Sequence, residues 1–300
     1  MKNYSKIAVV VSFFGLWMDS YFSTQLQILS GFLLIFTFGI LHGANDLLLI
    51  KKINTKKTSH SSLKILGYYL LIVITGVLLF YTIPLVALLL FIIVSGHHFG
   101  EQEWQNLEDI FSQWILVLFQ FFYGFFILML LFTFHTDEVQ DIIFNITKTI
   151  ISFSYFALSL QISAIFFIAT SAYFYWKSKK IRKKLLLEFF YLLLFTIIFR
   201  SSSLIWGFAI YFVIWHSIPS IIDQIKFLNG SYSLKYFIAY CREAGVYWLI
   251  SIIGIMLLYF LFKEERLFNA LFFSFLAAIT FPHTLVITRM LSGKKELNRN

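Results

Sequence analysis

The sequence predicts an all-α protein: a polytopic transmembrane helix bundle of about ten spans with both termini cytoplasmic. Three observations predict it. The 300 residues are 59% hydrophobic and 20% aromatic but only 13% charged, where soluble domains carry roughly 25% charged residues. Apolar runs repeatedly exceed the ~18 residues that argue for a membrane helix. The basic residues gather in alternate connecting segments. A transmembrane barrel would show short segments of alternating polarity instead, and none is evident.

Ten spans are expected, at residues 7–22, 25–47, 64–82, 84–98, 112–134, 151–175, 185–199, 203–217, 245–262 and 267–290. Pro84 divides the third from the fourth, because proline lacks the N–H that would continue the helix. Arg200 and the serines at 201–203 divide the seventh from the eighth. The first apolar stretch lacks a convincing cleavage site and reads as a retained helix. The longest outer loop covers 135–150, where Val139 to Phe144 predicts a short interfacial helix. With no clear repeat, low-complexity tract or proline-rich linker, one integral membrane domain over 1–300 is expected.

The net charge is +9. With a cytoplasmic N-terminus, the inner segments hold Lys2, Lys6, Lys51, Lys52, Lys56, Lys57 and Lys64, then the run Lys177, Lys179, Lys180, Arg182, Lys183 and Lys184. Lys226, Lys235, Arg242, Arg289, Lys294, Lys295 and Arg299 complete 20 of the 24 basic residues, leaving Lys148, Arg200, Lys263 and Arg266 outside. The positive-inside rule then favours an even number of spans in the cell (inner) membrane. Topology and lipid headgroups account for the basic loops, so no nucleic-acid partner is expected. The single cysteine, Cys241, excludes an intramolecular disulfide and a cysteine-rich metal site.

Ionisable groups at membrane depth are rare and mark functional sites. In this topology His42, His98 and His216 fall near the inner ends of spans 2, 4 and 8, and His283 in the inner half of span 10. They are the candidate metal ligands. His60 lies in a lysine-rich loop and His135 just beyond span 5, so both read as ordinary surface residues. His97 neighbours His98, and successive helical residues project ~100° apart; His98 is preferred as ligand and His97 as a supporting or packing residue. Asp46 follows His42 by one helical turn and could hold its far imidazole nitrogen. Glu101 and Glu103 follow His98, and Asp223 follows His216. These acids sit at membrane borders, where simple solvation or pairing with basic loops is the plainer role. Pro219 should break the eighth span just after His216, and Pro282 should kink the tenth just before His283.

All-imidazole ligation suits Fe, Zn, Cu or Ni. Two-iron membrane desaturases use paired histidine boxes and more histidines than the seven present here, so a single metal fits better. No nucleophile triad, phosphate loop or dinucleotide fingerprint appears. The apolar interior implies a lipid-soluble substrate, and the 38 phenylalanines could line a cavity for a polyene, although ordinary packing explains most of them.

At these residues a family resemblance emerges. His42-Gly43-Ala44-Asn45-Asp46 resembles the His-Gly-x-x-Asp element of the Brp/Blh family of bacterial β-carotene 15,15′-dioxygenases. Ser95-Gly96-His97-His98-Phe99-Gly100-Glu101 is similar to its Ser-x-x-His-Phe-Gly segment, which supports His98 over His97. Trp215-His216-Ser217 with Ile218-Pro219, and Phe281-Pro282-His283, resemble a third and a fourth element. The resemblance implies oxygenative cleavage of β-carotene at its central double bond to two all-trans-retinal, with Fe(2+) as cofactor and His42, His98 and His216 as ligands. The family pattern has a second histidine four residues after the third-motif histidine, where this chain has Ser220, and an aspartate where it has Glu103. The fourth ligand is thus left to His283 or water, and the effect on activity is open.

The partners implied are β-carotene and O2 as substrates, membrane lipid, and a retinal-binding opsin for hand-off. A metal-ion or proton-coupled transporter is the alternative, since histidines and acids within helices suit an ion path. Against it stand the missing inverted repeat and the scarcity of deep acidic residues. A retinal- or lipid-binding protein without catalysis is a third reading, but no lysine lies deep in a span to form a Schiff base.

Overall fold

The computed structural model describes residues 2–54, 62–105, 107, 110–261 and 265–299. Among them every regular element is helical. In chain order these are α1 (Lys2–Asp19), α2 (Thr24–Leu34), a π-helical segment π1 (Ile35–Gly39), α3 (Asp46–Asn54), α4 (Ser62–Thr82), α5 (Pro84–Glu103) and α6 (Gln113–Phe134). There follow α7 (Thr136–Thr147), α8 (Phe153–Lys177), α9 (Lys179–Ser201), α10 (Leu204–Ala209), π2 (Ile210–Ser217), α11 (Ile218–Asn229), α12 (Leu234–Leu261) and α13 (Glu265–Arg299). Lys56, Lys57 and His60 of the expected basic loop, and Lys263, lie outside the described residues.

Each expected apolar stretch is largely helical over its described residues, the second being broken by a turn at 42–45, and the ten do not qualify alike as spans. Among the described residues six helices are long and apolar enough to cross a membrane: 84–103, 113–134, 153–177, 204–229, 234–261 and 271–292. Thr24–Gly39 and Leu66–Thr82 are apolar but shorter, and α9 opens on the basic run beginning at Lys179. Large apolar side chains cover much of the outside. Along α12 alone Val246, Leu249, Ile250, Ile253, Leu257 and Phe260 are exposed, more contiguous apolar surface than a soluble monomer carries. Hydrocarbon is the solvent this surface suits.

The local breaks have local causes. α5 begins on Pro84, the first helical position, where a missing N–H costs nothing. At the serine break, Ser202 Oγ donates to the Ile198 carbonyl at 2.7 Å, while Ser203 Oγ accepts from the Trp206 N–H and caps α10. The Val139–Phe144 stretch falls within α7.

Pro219 does not end its helix as expected; the chain runs helically through 204–229. The reason lies in π2. In its wider register each N–H meets the carbonyl five residues back, so the N–H missing at Pro219 would have met Ile214. The Tyr4 hydroxyl donates to that carbonyl instead, and Ser217 Oγ donates to the Phe212 carbonyl at 2.9 Å. Pro282, where a kink rather than an end is expected, sits inside α13.

The helices group into two compact units. The first comprises residues 1–35, 95–140 and 151–217. Its α6 and α8 pack antiparallel, as the ring pairs Phe111–Phe174, Phe119–Phe167 and Phe132–Phe156 show. α10 lies against α2 so closely that a Cβ on Gly31 would stand 2.9 Å from Ile205. The second unit comprises 36–94, 141–150 and 218–300. There Leu49 of α3 packs with Val286, Ile287, Met290 and Leu291 of α13, and Ile221 and Ile225 of α11 pack with Tyr240 of α12.

One contact in the first unit sets up the site. A Cβ at Gly100 would lie 1.7 Å from the Gln120 carbonyl oxygen, and one at Gly124 would lie 2.0 Å from the Gly96 carbonyl oxygen. The Gly96-x-x-x-Gly100 face of α5 therefore rests backbone-to-backbone on α6, the close approach that small residues permit in membranes. His98, two residues from each glycine, projects from the opposite side of α5. Gly100→Ala is expected to destabilise the protein by at least ~1–3 kcal/mol, read as a lower Tm of the detergent-purified chain; an unchanged Tm would show that the two helices separate freely.

Candidate metal centre

The second unit holds His42 and His283. π1 ends at Gly39, and the chain then turns tightly, with the N–H groups of Gly43, Ala44 and Asp46 bonded to the carbonyls of Ile40, Leu41 and Gly43. Asn45 fixes this turn by donating to the Tyr240 carbonyl at 2.9 Å. Because residues 42–45 form a turn and α3 starts only at Asp46, His42 and Asp46 do not share a helix face. The carboxylate expected on His42 holds His283 instead. His283 Nδ1 lies 2.9 Å from Asp46 Oδ1, and the Tyr69 hydroxyl donates to Asp46 Oδ2 at 3.1 Å. His42 Nδ1 is hydrogen-bonded to the Gly39 carbonyl.

Both contacts place a proton on Nδ1, because a carbonyl oxygen and a carboxylate accept only; in the neutral ring Nε2 is then the atom with the lone pair. This is the arrangement in which outer partners orient metal-binding histidines. The two rings stand 4.6 Å apart between centroids at 88°. Edge-to-face ring packing accounts for this spacing; the held Nδ1 groups are what mark the pair as suited to a metal. Gly43 admits the His283 ring beside the turn, since even a Cβ there would lie 3.6 Å from Nδ1.

The first unit holds His98 and His216. α5 carries His98 and π2 carries His216, with rings 4.8 Å apart at 76°. Phe99 meets His216 edge-on at 4.7 Å and Phe212 stacks on it at 18°, so its ring plane is set by aromatic neighbours. Gln102 donates to the His216 carbonyl at 2.8 Å. A small cavity lies beside His216, lined also by Phe99, Gln102, Glu103, Tyr123 and Tyr211.

The remaining candidates scatter in role. His98 is buried and His97 only half-buried. Glu103 pairs with Lys184 of α9 at 2.7 Å and bonds to Glu188, which also accepts from the Tyr123 hydroxyl at 2.8 Å. Ser220 is buried and accepts from Gln224 at 3.1 Å. Glu101 and Asp223 are buried. His135 ends α6, with its ring bonded to the Phe199 backbone. Among the described residues, no group of three or more His, Cys, Asp or Glu side chains is arranged to hold a metal; the histidines come as two pairs, one in each unit.

Sequence reasoning missed Gln102, Gln224, Tyr69 and Tyr240. Only their polarity within apolar helices could have signalled them, since their partners lie far away in the chain.

The fold and these contacts define a class: a polytopic helical membrane protein with two pairs of buried histidines. The family model described as beta-carotene 15,15′-dioxygenase matches residues 33–291, and the chain belongs to that family. No curated protein and no solved structure matches it.

Asp46→Asn keeps the shape but removes the charge that orients His283. Loss of such an outer partner typically costs 10–100-fold in metal affinity. That drop is expected in a cobalt(II) titration of the purified protein, with Tyr69→Phe giving a smaller one.

Proposed function

We propose that the chain is an iron-dependent β-carotene 15,15′-dioxygenase of the cell membrane, with His42, His98, His216 and His283 as its imidazole ligands. The observation that carries the reading is the family match over residues 33–291, which spans all four histidines. The reaction splits the C15=C15′ double bond and forms two C=O bonds, so that β-carotene and O2 yield two all-trans-retinal with no outside electron donor. Iron, when bound, would supply the one-electron chemistry that lets O2 react with a closed-shell polyene.

The protein's own groups do the rest. Asp46 and the Gly39 carbonyl hold protons at Nδ1 of His283 and His42, presenting both rings through Nε2. Phe99 and Phe212 pack against His216 and orient its ring. A dry setting protects a reactive oxygenated polyene from water.

The Ser220 departure also finds a reading. Ser220 is engaged by Gln224, whereas His283 stands beside His42 with its tautomer set by Asp46. His283 is therefore the better candidate for fourth ligand. Beyond the reaction, O2 and membrane lipid are the expected partners, and an opsin is the proposed acceptor of retinal.

Expression in β-carotene-producing bacteria tests the reading. Pigment should fade and retinal should appear by chromatography, while His42→Ala, His98→Ala, His216→Ala and His283→Ala should each lower retinal by at least ~100-fold. Unchanged pigment, with the protein present in the membrane and iron supplied, would reject it.

A further inference from the structure

We propose that Gln102 and Gln224 are positioning residues, each fixing one site histidine by its backbone rather than its ring. The inference rests on the metal reading above. The two glutamines do the same thing in separate places. Gln102 Nε2 donates to the carbonyl of His216 at 2.8 Å, and Gln224 Nε2 donates to the carbonyl of His42 at 2.8 Å. Both side chains are buried. At hydrocarbon depth a side-chain amide has no water to turn to, so such a bond has no cheap substitute.

The need for these bonds follows from the backbone. His216 sits in π2 just before Pro219, and His42 opens the turn that follows π1. Neither residue lies in a regular α-helix, and the glutamine bond to each carbonyl constrains the peptide plane and with it the Cα–Cβ direction.

Each glutamine also ties its histidine to a second element of the site. Gln102 follows His98 by four residues on α5 and so shares its face. Its bond to His216 therefore sets the spacing of the His98–His216 pair. Gln224 donates to Ser220 Oγ at 3.1 Å and accepts from the Tyr240 hydroxyl at 2.7 Å. Three contacts thus fix the amide that holds His42 beside His283.

The test uses full-length Gln102→Met and Gln224→Met, which keep length and burial but remove the donor. Gln102→Glu and Gln224→Glu form a second pair, because loss of a buried amide can itself weaken folding. Each is purified metal-free and compared with wild type by Tm, by cobalt(II) affinity and visible spectrum, and by 15N shifts of labelled histidines. The expected result in the folded variants is a 10–100-fold loss of cobalt affinity, a changed cobalt spectrum, and a shifted signal from His216 or His42 respectively. Activity should fall in kcat more than in KM. Folded variants with wild-type cobalt affinity, spectrum and histidine shifts would overturn the proposal. Should the wild-type chain itself take up no cobalt or iron, the metal reading fails, and the metal-free histidine shifts alone then decide the glutamines' role.

Discussion

The buried contact between Asp46 and His283 shows the constraint that orders the rest of the structure. A polar group placed among apolar helices must find its partner within the protein. An imidazole meets that demand with one nitrogen held and one left to act, and the turn at Gly39–Asp46 is built around this division. It brings the Gly39 carbonyl to His42, turns Asp46 towards His283, and leans on Asn45 and Gln224 for its own backbone. The same demand explains Tyr4 at the Ile214 carbonyl and the serine hydroxyls at the 198–203 break. Polar residues that look incidental in the sequence are the partners of backbone groups at these irregular points.

Both histidine-bearing irregularities are π-helical or follow a π segment. An extra residue per turn releases carbonyls and rotates the following side chains relative to an α-helix. Such segments occur often at functional sites. Around π2, Ser217, Tyr4 and Gln102 donate to the carbonyls of Phe212, Ile214 and His216.

The helical class and the boundaries at Pro84 and at the 201–203 serines were legible in the sequence because each depends on local chemistry. Hydropathy over a window marks an apolar helix, and proline marks its first turn. The partner of Asp46 was not legible. The i, i+4 reading assumed a continuous helix at 42–46, and the glycine-containing turn there gives the carboxylate to a residue 237 positions away. Pro219 was misleading for a related reason: a proline breaks an α-helical ladder, but beside a π segment the lost bond falls on a carbonyl that a distant tyrosine serves. The glutamines were invisible because nothing within a few residues of them declares a partner.

The glycine seam between α5 and α6 has one more consequence. Two backbones that touch directly leave no cushion of side chains on which α5 could roll. The azimuth of His98 is thus set from behind, by atoms that never meet a substrate. Sequence drift over the lipid-facing flank of α5 leaves that angle alone, whereas a single added methyl on the hidden side would swing the imidazole away.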